Sequence, residues 1–335
     1  MPEHTDRIKI DSIKSAVKSE LDSLEKRLKS FVSTDVPLLD EICASLNRNP
    51  GKRLRPNILF LAARNAGADP EKSVTAGFAV ELIHTATLIH DDIIDSHDFR
   101  RGHPTVSSKW GRDIATITGD YLYSRAFSCL SNENLWGVIS ILSHAANEMS
   151  LGEMLQFQHK KNVDISEKIY LNMIGKKTAS LFAASCEAGA LLGENGNGNR
   201  NSFSSFGENI GLAYQITDDL FDYLAAEESL GKPVAVDLVD GKITLPFITS
   251  YKNAPNHVRR RIGDMLREGF DRDRGWNEML SFIENYGGVE YSVEKAKALS
   301  RKAKTFLSPL AASPEIDLLC YAADYIVERV VPYSG

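Results

Sequence analysis

Apolar residues recur at every third or fourth position along most of this chain, and that period decides which folds are open to it. In the first segment Ile10, Ile13, Val17, Leu21, Leu24, Leu28 and Phe31 form one stripe on a helix whose other faces are charged. Such a stripe packs on the body of a protein or on a partner subunit, and here it stops too soon for an isolated coiled coil. Further helices are predicted at 57–66, 71–97, 113–131, 135–158, 166–192, 202–226, 244–253, 256–269, 275–285, 289–308 and 315–330. No segment alternates with period two between hairpin turns. The Ala-rich stretches 71–97 and 178–192 are apolar nearly all round, which implies burial among other helices. Pro37 and Asn49-Pro50-Gly51 read as punctuation, and the run from Glu194 to Asn199 as a flexible connector. The 335 residues suggest two domains at ~150 residues each, but no linker divides them. The expectation is all-α: a single domain over 1–335, with an amphipathic helix at 6–33 packed on it.

Composition then excludes several classes. Lys plus Arg is 39 against 45 Asp plus Glu, a net charge of -6, where a generic nucleic-acid binder carries a basic surplus. The longest stretch without Asp, Glu, Lys or Arg runs from Asn134 to Asn147, too short for the ~20 apolar residues of a membrane span. Cys43, Cys129, Cys186 and Cys320 lie far apart with no zinc-site spacing, so they read as reduced core thiols. With no apolar secretory segment at the N-terminus, a cytoplasmic, reducing compartment is expected.

Chemistry is concentrated in a pattern that occurs twice. Asp91-Asp92-Ile93-Ile94-Asp95 ends one apolar helix, and Asp218-Asp219-Leu220-Phe221-Asp222 sits on another. The first and last Asp of each set share a helix face, with Cβ atoms ~6 Å apart. Acids on a helix are usually a solvated face, but these follow apolar runs, and three like charges in one turn are costly unless cations neutralise them. Each face suits a hard, oxygen-seeking cation such as Mg²⁺, which takes one or two carboxylates plus substrate phosphates. Calcium loops fit poorly, since neither copy has the required Gly and Glu positions.

Basic residues stand where a polyphosphate needs them. Lys52, Arg53 and Arg55 form one cluster, Arg100 and Arg101 follow Asp95, and Lys176, Lys177, Lys232 and Lys242 are further candidates. Arg binds phosphate bidentately and Lys as a point charge. His84 lies two turns before Asp91 on the same face. A nucleotide enzyme is disfavoured: Gly175-Lys176-Lys177-Thr178 lacks the first Gly of a P-loop, because position 170 is Tyr.

The strings Gly51-Lys52-Arg53-Leu54-Arg55-Pro56, His84 to Asp95, Arg100-Arg101-Gly102, Gly119-Asp120-Tyr121-Leu122, Lys177-Thr178-Ala179, Gln215 to Asp222 and Gly241 to Pro246 run in the order found in the trans-polyprenyl diphosphate synthases, which the chain resembles over about residues 45 to 250. The resemblance implies an all-α helical bundle of the isoprenoid synthase type with a central substrate cavity, and a homodimer. It implies Mg²⁺, three ions per active site with substrate bound, held by Asp91 and Asp95 (with Asp92 nearby) and by Asp218 and Asp222 beside Asp219. Arg100 is similar to the allylic-diphosphate arginine. Lys52, Arg55, His84 and Arg101 match contacts to isopentenyl diphosphate, and Arg53 lies in the same basic cluster as a further substrate-binding candidate. Lys177, Thr178, Gln215, Lys232 and Lys242 match residues around the allylic substrate, farnesyl or geranylgeranyl diphosphate. One departure is visible: Ala235 stands where the family usually has Gly, so the backbone there carries a Cβ.

The implied chemistry is physically coherent. Breaking an allylic C–O bond makes a carbocation and a diphosphate anion, and cations stabilise the anion as its charge develops. Thr178 and Gln215 oxygens stabilise the carbocation by their dipoles without trapping it, while isopentenyl diphosphate is held for attack. No side-chain general base stands out. Ala86 and Thr87, one turn before Asp91, are small and leave room in a packed interior for a growing chain, so a product of around C30 to C50 is expected, of the kind used for quinone side chains. Such a product is itself a membrane lipid, released at a membrane surface. A geranylgeranyl or farnesyl diphosphate synthase is the shorter-product alternative. A class I terpene cyclase would not carry the second Asp set or a second diphosphate site, and a non-catalytic regulatory subunit would have lost acids that are all present.

Overall fold

The computed structural model describes residues 11–31, 35–48, 51–100, 102–194, 198–224 and 235–330. Arg101, Lys232 and the first residues of the expected 6–33 helix lie outside them. The described chain is all-α apart from one two-stranded antiparallel ladder of four residues. Its helices are α1 (Lys18–Ser30), α2 (Pro37–Leu46), α3 (Leu54–Asn65), α4 (Pro70–Ile94), α5 (Val106–Trp110), α6 (Arg112–Asn132), α7 (Trp136–Gln158), α8 (Glu167–Ile174), α9 (Ser180–Leu191), α10 (Arg200–Leu224), α11 (Val236–Val239), α12 (Leu245–Asn253), α13 (Asn256–Glu268), α14 (Arg272–Asn285), α15 (Gly288–Leu307) and α16 (Pro314–Glu328). A π-helical turn, Gly175–Ala179, joins α8 to α9.

The apolar stripe of the first segment packs as its period requires. Ile13, Val17, Leu24 and Leu28 are buried, and α1 lies along α4. Each such side chain contributes about 1.5–3 kcal/mol when fully enclosed. Arg64 pairs with Glu20 at 2.5 Å and Arg53 with Glu25 at 2.7 Å, fixing the helix on the body. Helices α3 and α9, buried on nearly every side, form the centre with α4 and α10 around them.

Several boundaries differ from the periodic reading. Pro37 opens α2 rather than punctuating a loop, because proline at a first helical position has no amide that needs a partner. The helix expected to run to 97 ends at Ile94. Ser96 takes a left-handed backbone, φ 55°, and the His97 N–H donates to the Asp92 carbonyl at 3.0 Å, a Schellman stop. Phe99–Arg100 then pairs with His103–Pro104, a ladder too short to leave an alternation signal.

Two glycines set the approach of the helices to the π turn. A Cβ at Gly152 of α7 would lie 2.4 Å from the Lys177 amide nitrogen, and one at Gly211 of α10 would lie 2.6 Å from the Ala179 Cα. The turn that carries Lys177 and Thr178 is therefore clamped between α7 and α10. π turns of this kind recur at functional sites.

Candidate active site

Asp91, Asp92 and Asp95 close α4, at the end where the helix dipole is already negative. Three acids there need cations, and each meets one. Arg100 binds Asp92 through Nε at 2.9 and 3.1 Å and through Nη2 at 2.7 Å. Lys242 Nζ lies 2.6 Å from Asp95. Lys177 Nζ lies 4.0 Å from Asp91 and pairs more closely with Glu153 of α7. Burial pushes the Asp91 carboxyl up to about 6; Lys177 draws it down, and Glu153 and Asp95 add to the rise. An ionised Asp91 is thus under-compensated, as a carboxylate awaiting a cation would be.

The second set sits in the last two turns of α10 and is held differently. Asp219 is buried and accepts from Tyr170 Oη at 2.6 Å and from Gln215 Nε2 at 2.7 Å. Burial, with Asp237 and Asp218 nearby, raises its pKa well above the ordinary carboxylate range. Asp222, also buried, accepts the backbone N–H of Val236 at 3.1 Å and of Asp237 at 3.0 Å, so it caps α11 as well as facing its own turn. Asp218 is half exposed and meets Arg329 at 3.2 Å.

One lysine ties the first set to the end of α11. Lys242 lies between Asp95 and Asp240, the latter at 3.3 Å, and His97 Nε2 is 3.4 Å from the same Asp240. Burial alone would lower the Lys242 pKa, but Asp237, Asp95 and Asp240 together push it up, so the ammonium stays charged. Ligand atoms of Asp95, His97 and Asp240 all lie within 4.8 Å of one another. These are hard oxygen donors and one imidazole, and with Asp91 and Asp218 they suit Mg²⁺ by donor type.

A cavity opens beside them, lined on one side by Asp219 of the second set. Lys177, Thr178, Gln215, Asp219 and Lys242, all named from the sequence, line it, together with Tyr170 and Asp237. Thr178 Oγ1 donates to Gln215 Oε1 at 2.7 Å. Ala86 is fully enclosed on the core side of α4 and Thr87 donates to the His84 carbonyl at 2.7 Å; neither lines this cavity.

The basic cluster Lys52, Arg53, Arg55 fans apart. Arg53 takes a left-handed backbone at the start of α3 and its guanidinium lies between Glu25 and Glu81, where it ties α1 to α4. It is therefore neutralised by two carboxylates rather than grouped with its neighbours. Lys52 reaches Tyr325 Oη at 3.1 Å. Arg55 lies over the Phe182 ring at 4.4 Å, with Nη1 3.2 Å from His84 Nε2 and a buried Nε that has no partner among the described residues. The periodic reading missed Tyr170, Glu153, Asp237, Asp240, His97 and Arg329. Asp237 and Asp240 had a usable signal, lying within five residues of Lys242.

Comparison with known proteins sets this geometry in context. The polyprenyl synthetase family model matches residues 36–283. Octaprenyl diphosphate synthase of Haemophilus influenzae is 30% identical over 324 residues, covering 97% of this chain and 98% of that protein. Geranylgeranyl diphosphate synthase of Sulfolobus acidocaldarius is 33% identical over 321 residues, covering 92% and 96%. Among solved structures, the polyprenyl synthase of Caulobacter crescentus complexed with calcium and isoprenyl diphosphate superposes with a TM-score of 0.91 at 31% identity, covering 96% of this chain and 98% of that one.

Proposed function

The chain belongs to the polyprenyl synthetase family, a prenyltransferase class, and from that membership we propose that it condenses isopentenyl diphosphate with an allylic diphosphate, head to tail and all-trans. The observation that carries this reading is one cavity lined by Asp219 of the second acidic turn, by Lys177 and Lys242, which pair with Asp91 and Asp95 of the first, and by the Thr178 and Gln215 side chains. Asp91, Asp95 and Asp218 are the proposed metal ligands, and Asp222 shapes the second wall. Mg²⁺, when bound there, supplies positive charge that stabilises the diphosphate as the allylic C–O bond breaks.

The chain's own groups do the rest. Lys177 and Lys242 add fixed positive charge beside the leaving diphosphate. Thr178 and Gln215 present oxygen dipoles to the carbocation in a wall that offers it no strong nucleophile. Lys52, Arg55, His84 and Arg101 hold isopentenyl diphosphate, and Arg55, stacked on Phe182 with an unspent Nε–H, is the donor best prepared for a phosphate oxygen. Arg100 reaches the allylic diphosphate by exchanging Asp92 for it.

Product length is proposed to be around C30 to C50, supported by the absence of bulk at Ala86 and Thr87. Relatives that make octaprenyl and geranylgeranyl products are about equally similar to this chain, so their names do not choose between lengths. A homodimer is proposed because large apolar side chains stand exposed, Met154 and Phe157 at 68% and 66% on one face of α7 and Ile117 at 64% on α6, surface that a second copy would cover. No helix among the described residues is long and apolar enough to cross a membrane.

Incubating the purified chain with radiolabelled isopentenyl diphosphate, farnesyl diphosphate and Mg²⁺ tests the reading. Incorporation is expected, and none would reject it. Reversed-phase chromatography reads the length, and Ala86→Phe shortens the product; an unchanged length distribution removes Ala86 from the path of the growing chain.

A further inference from the structure

Three hydrogen bonds run in series into the cavity. Tyr170 Oη donates to Asp219 Oδ2 at 2.6 Å, Gln215 Nε2 donates to Asp219 Oδ1 at 2.7 Å, and Thr178 Oγ1 donates to Gln215 Oε1 at 2.7 Å. All four side chains line the cavity, although Tyr170 is 0% exposed and Asp219 only 4%. Among the described residues the hydrogen-bond partners of Asp219 are both neutral, an expensive setting for a carboxylate.

The direction of each bond follows from what each group can do. Both oxygens of Asp219 accept, one from Tyr170 and one from Gln215, and these two bonds favour its ionised form against the burial that raises its pKa. Gln215 must therefore turn its NH₂ to Asp219 and its carbonyl oxygen away, toward Thr178. Thr178 has one hydroxyl proton and gives it to that oxygen. What remains for the cavity is the lone pairs of Thr178 Oγ1 and the second lone pair of Gln215 Oε1. The carboxylate thus selects which end of the amide meets the cavity, and polarises it. Tyr170 has a single O–H, and it holds the far oxygen of Asp219. Tyr170 stands on α8, eight residues before Thr178 of the π turn, so one segment supplies both ends of the series.

We propose that Tyr170 and Asp219 are positioning residues: they fix the amide of Gln215 so that oxygen, never N–H, faces the allylic carbocation. The inference rests on the synthase reading above, and assigns Asp219 to this task rather than to metal binding. Reversing the amide would aim N–H dipoles at a developing positive charge, the opposite of preorganised stabilisation.

Two variants of the full chain test it, with labelled isopentenyl diphosphate, farnesyl diphosphate and Mg²⁺. Asp219→Asn keeps the shape but can donate to Gln215 Oε1, which permits the reversed amide. Its kcat falls about 100-fold, and that of Tyr170→Phe about 10-fold, the scale seen when an electrostatic stabiliser or its support is lost. KM for both substrates stays within about twofold, because the amide acts on the transition state. Each variant is then combined with Gln215→Leu, and each double variant turns over no more slowly than Gln215→Leu alone, since the effect travels through that amide. Multiplying effects, unchanged kcat, or equal losses in KM and melting temperature with kcat preserved would overturn the proposal. If Tyr170→Phe does not fold, the Asp219→Asn cycle decides alone. A wild-type chain that makes no product rejects the synthase reading and this inference with it; an active wild type with indifferent variants rejects the inference only.

Discussion

The acidic turn of α4 and that of α10 have the same spacing of aspartates, yet their surroundings are opposite in kind. On α4 the three acids are met by Arg100, Lys242 and Lys177, charged groups on flexible stems. On α10 Asp218 meets Arg329, while Asp219 accepts from a phenol and an amide and Asp222 from two backbone N–H groups. Ion pairs exchange readily when a better counter-charge arrives; buried neutral donors hold a shape. The first wall is accordingly arranged to trade partners with metal and diphosphate. The second is arranged to keep α11, Gln215 and the cavity in register.

Substitutions that probe this contrast differ in expected size. The largest effect belongs to the acids proposed to bind metal: Asp91→Asn and Asp218→Asn each cut turnover by about 100- to 1000-fold with no fall in melting temperature, measured by steady-state kinetics and thermal unfolding. Full turnover in either would end the division of labour drawn here. Next is Asp222→Asn, which leaves one of two backbone N–H groups of α11 without its acceptor. It costs about 1–3 kcal/mol of stability in denaturant titration, more than any loss from Asp91→Asn.

A pH dependence follows for the first wall. Burial raises the Asp91 carboxyl from 3.8 to about 6. In that window the folded, metal-free chain binds a proton that the unfolded chain has released, so stability declines as pH climbs from about 4 to about 6. A divalent cation favours the ionised carboxylate, so the rise in melting temperature given by Mg²⁺ grows through the same window. Asp91→Asn flattens that growth; an unchanged profile would move the titration elsewhere.

The smallest effect concerns the second wall. Ala235 sits at φ 62° and ψ 19°, the left-handed region that a Cβ disfavours by about 1–2 kcal/mol. It is also fully buried, and removing its methyl gives back about 0.8 kcal/mol. Ala235→Gly is therefore stabilising by less than about 1 kcal/mol, read as a small rise in denaturation midpoint. Destabilisation would mean that the methyl contact outweighs the backbone strain.

Much of the architecture is legible before any coordinates. A 3.6-residue period announces α1, α4 and α10, and an acid pattern repeated after apolar runs announces two charged turns. Local rules fail where the answer depends on distant chain. Lys52, Arg53 and Arg55 are near neighbours, but the first meets Tyr325, 273 residues away, and the second meets Glu25 and Glu81. Pro37 reads equally as a loop residue and as the opening of a helix, and only the packing of Ile42 and Cys43 chooses the helix.

By itself the amino-acid order determines the helical class, the two acidic turns and the kinds of group available to them, because side-chain chemistry and helix periodicity are properties of short segments. Tertiary structure decides which acids remain exchangeable and which are tied. Asp91 and Asp219 look alike in sequence, but one lies near Lys177 and Glu153 and the other beneath Tyr170 and Gln215. The energy of a carboxylate is set by the dielectric and the donors around it, and those are assembled only when α4, α7, α8 and α10 close on one another.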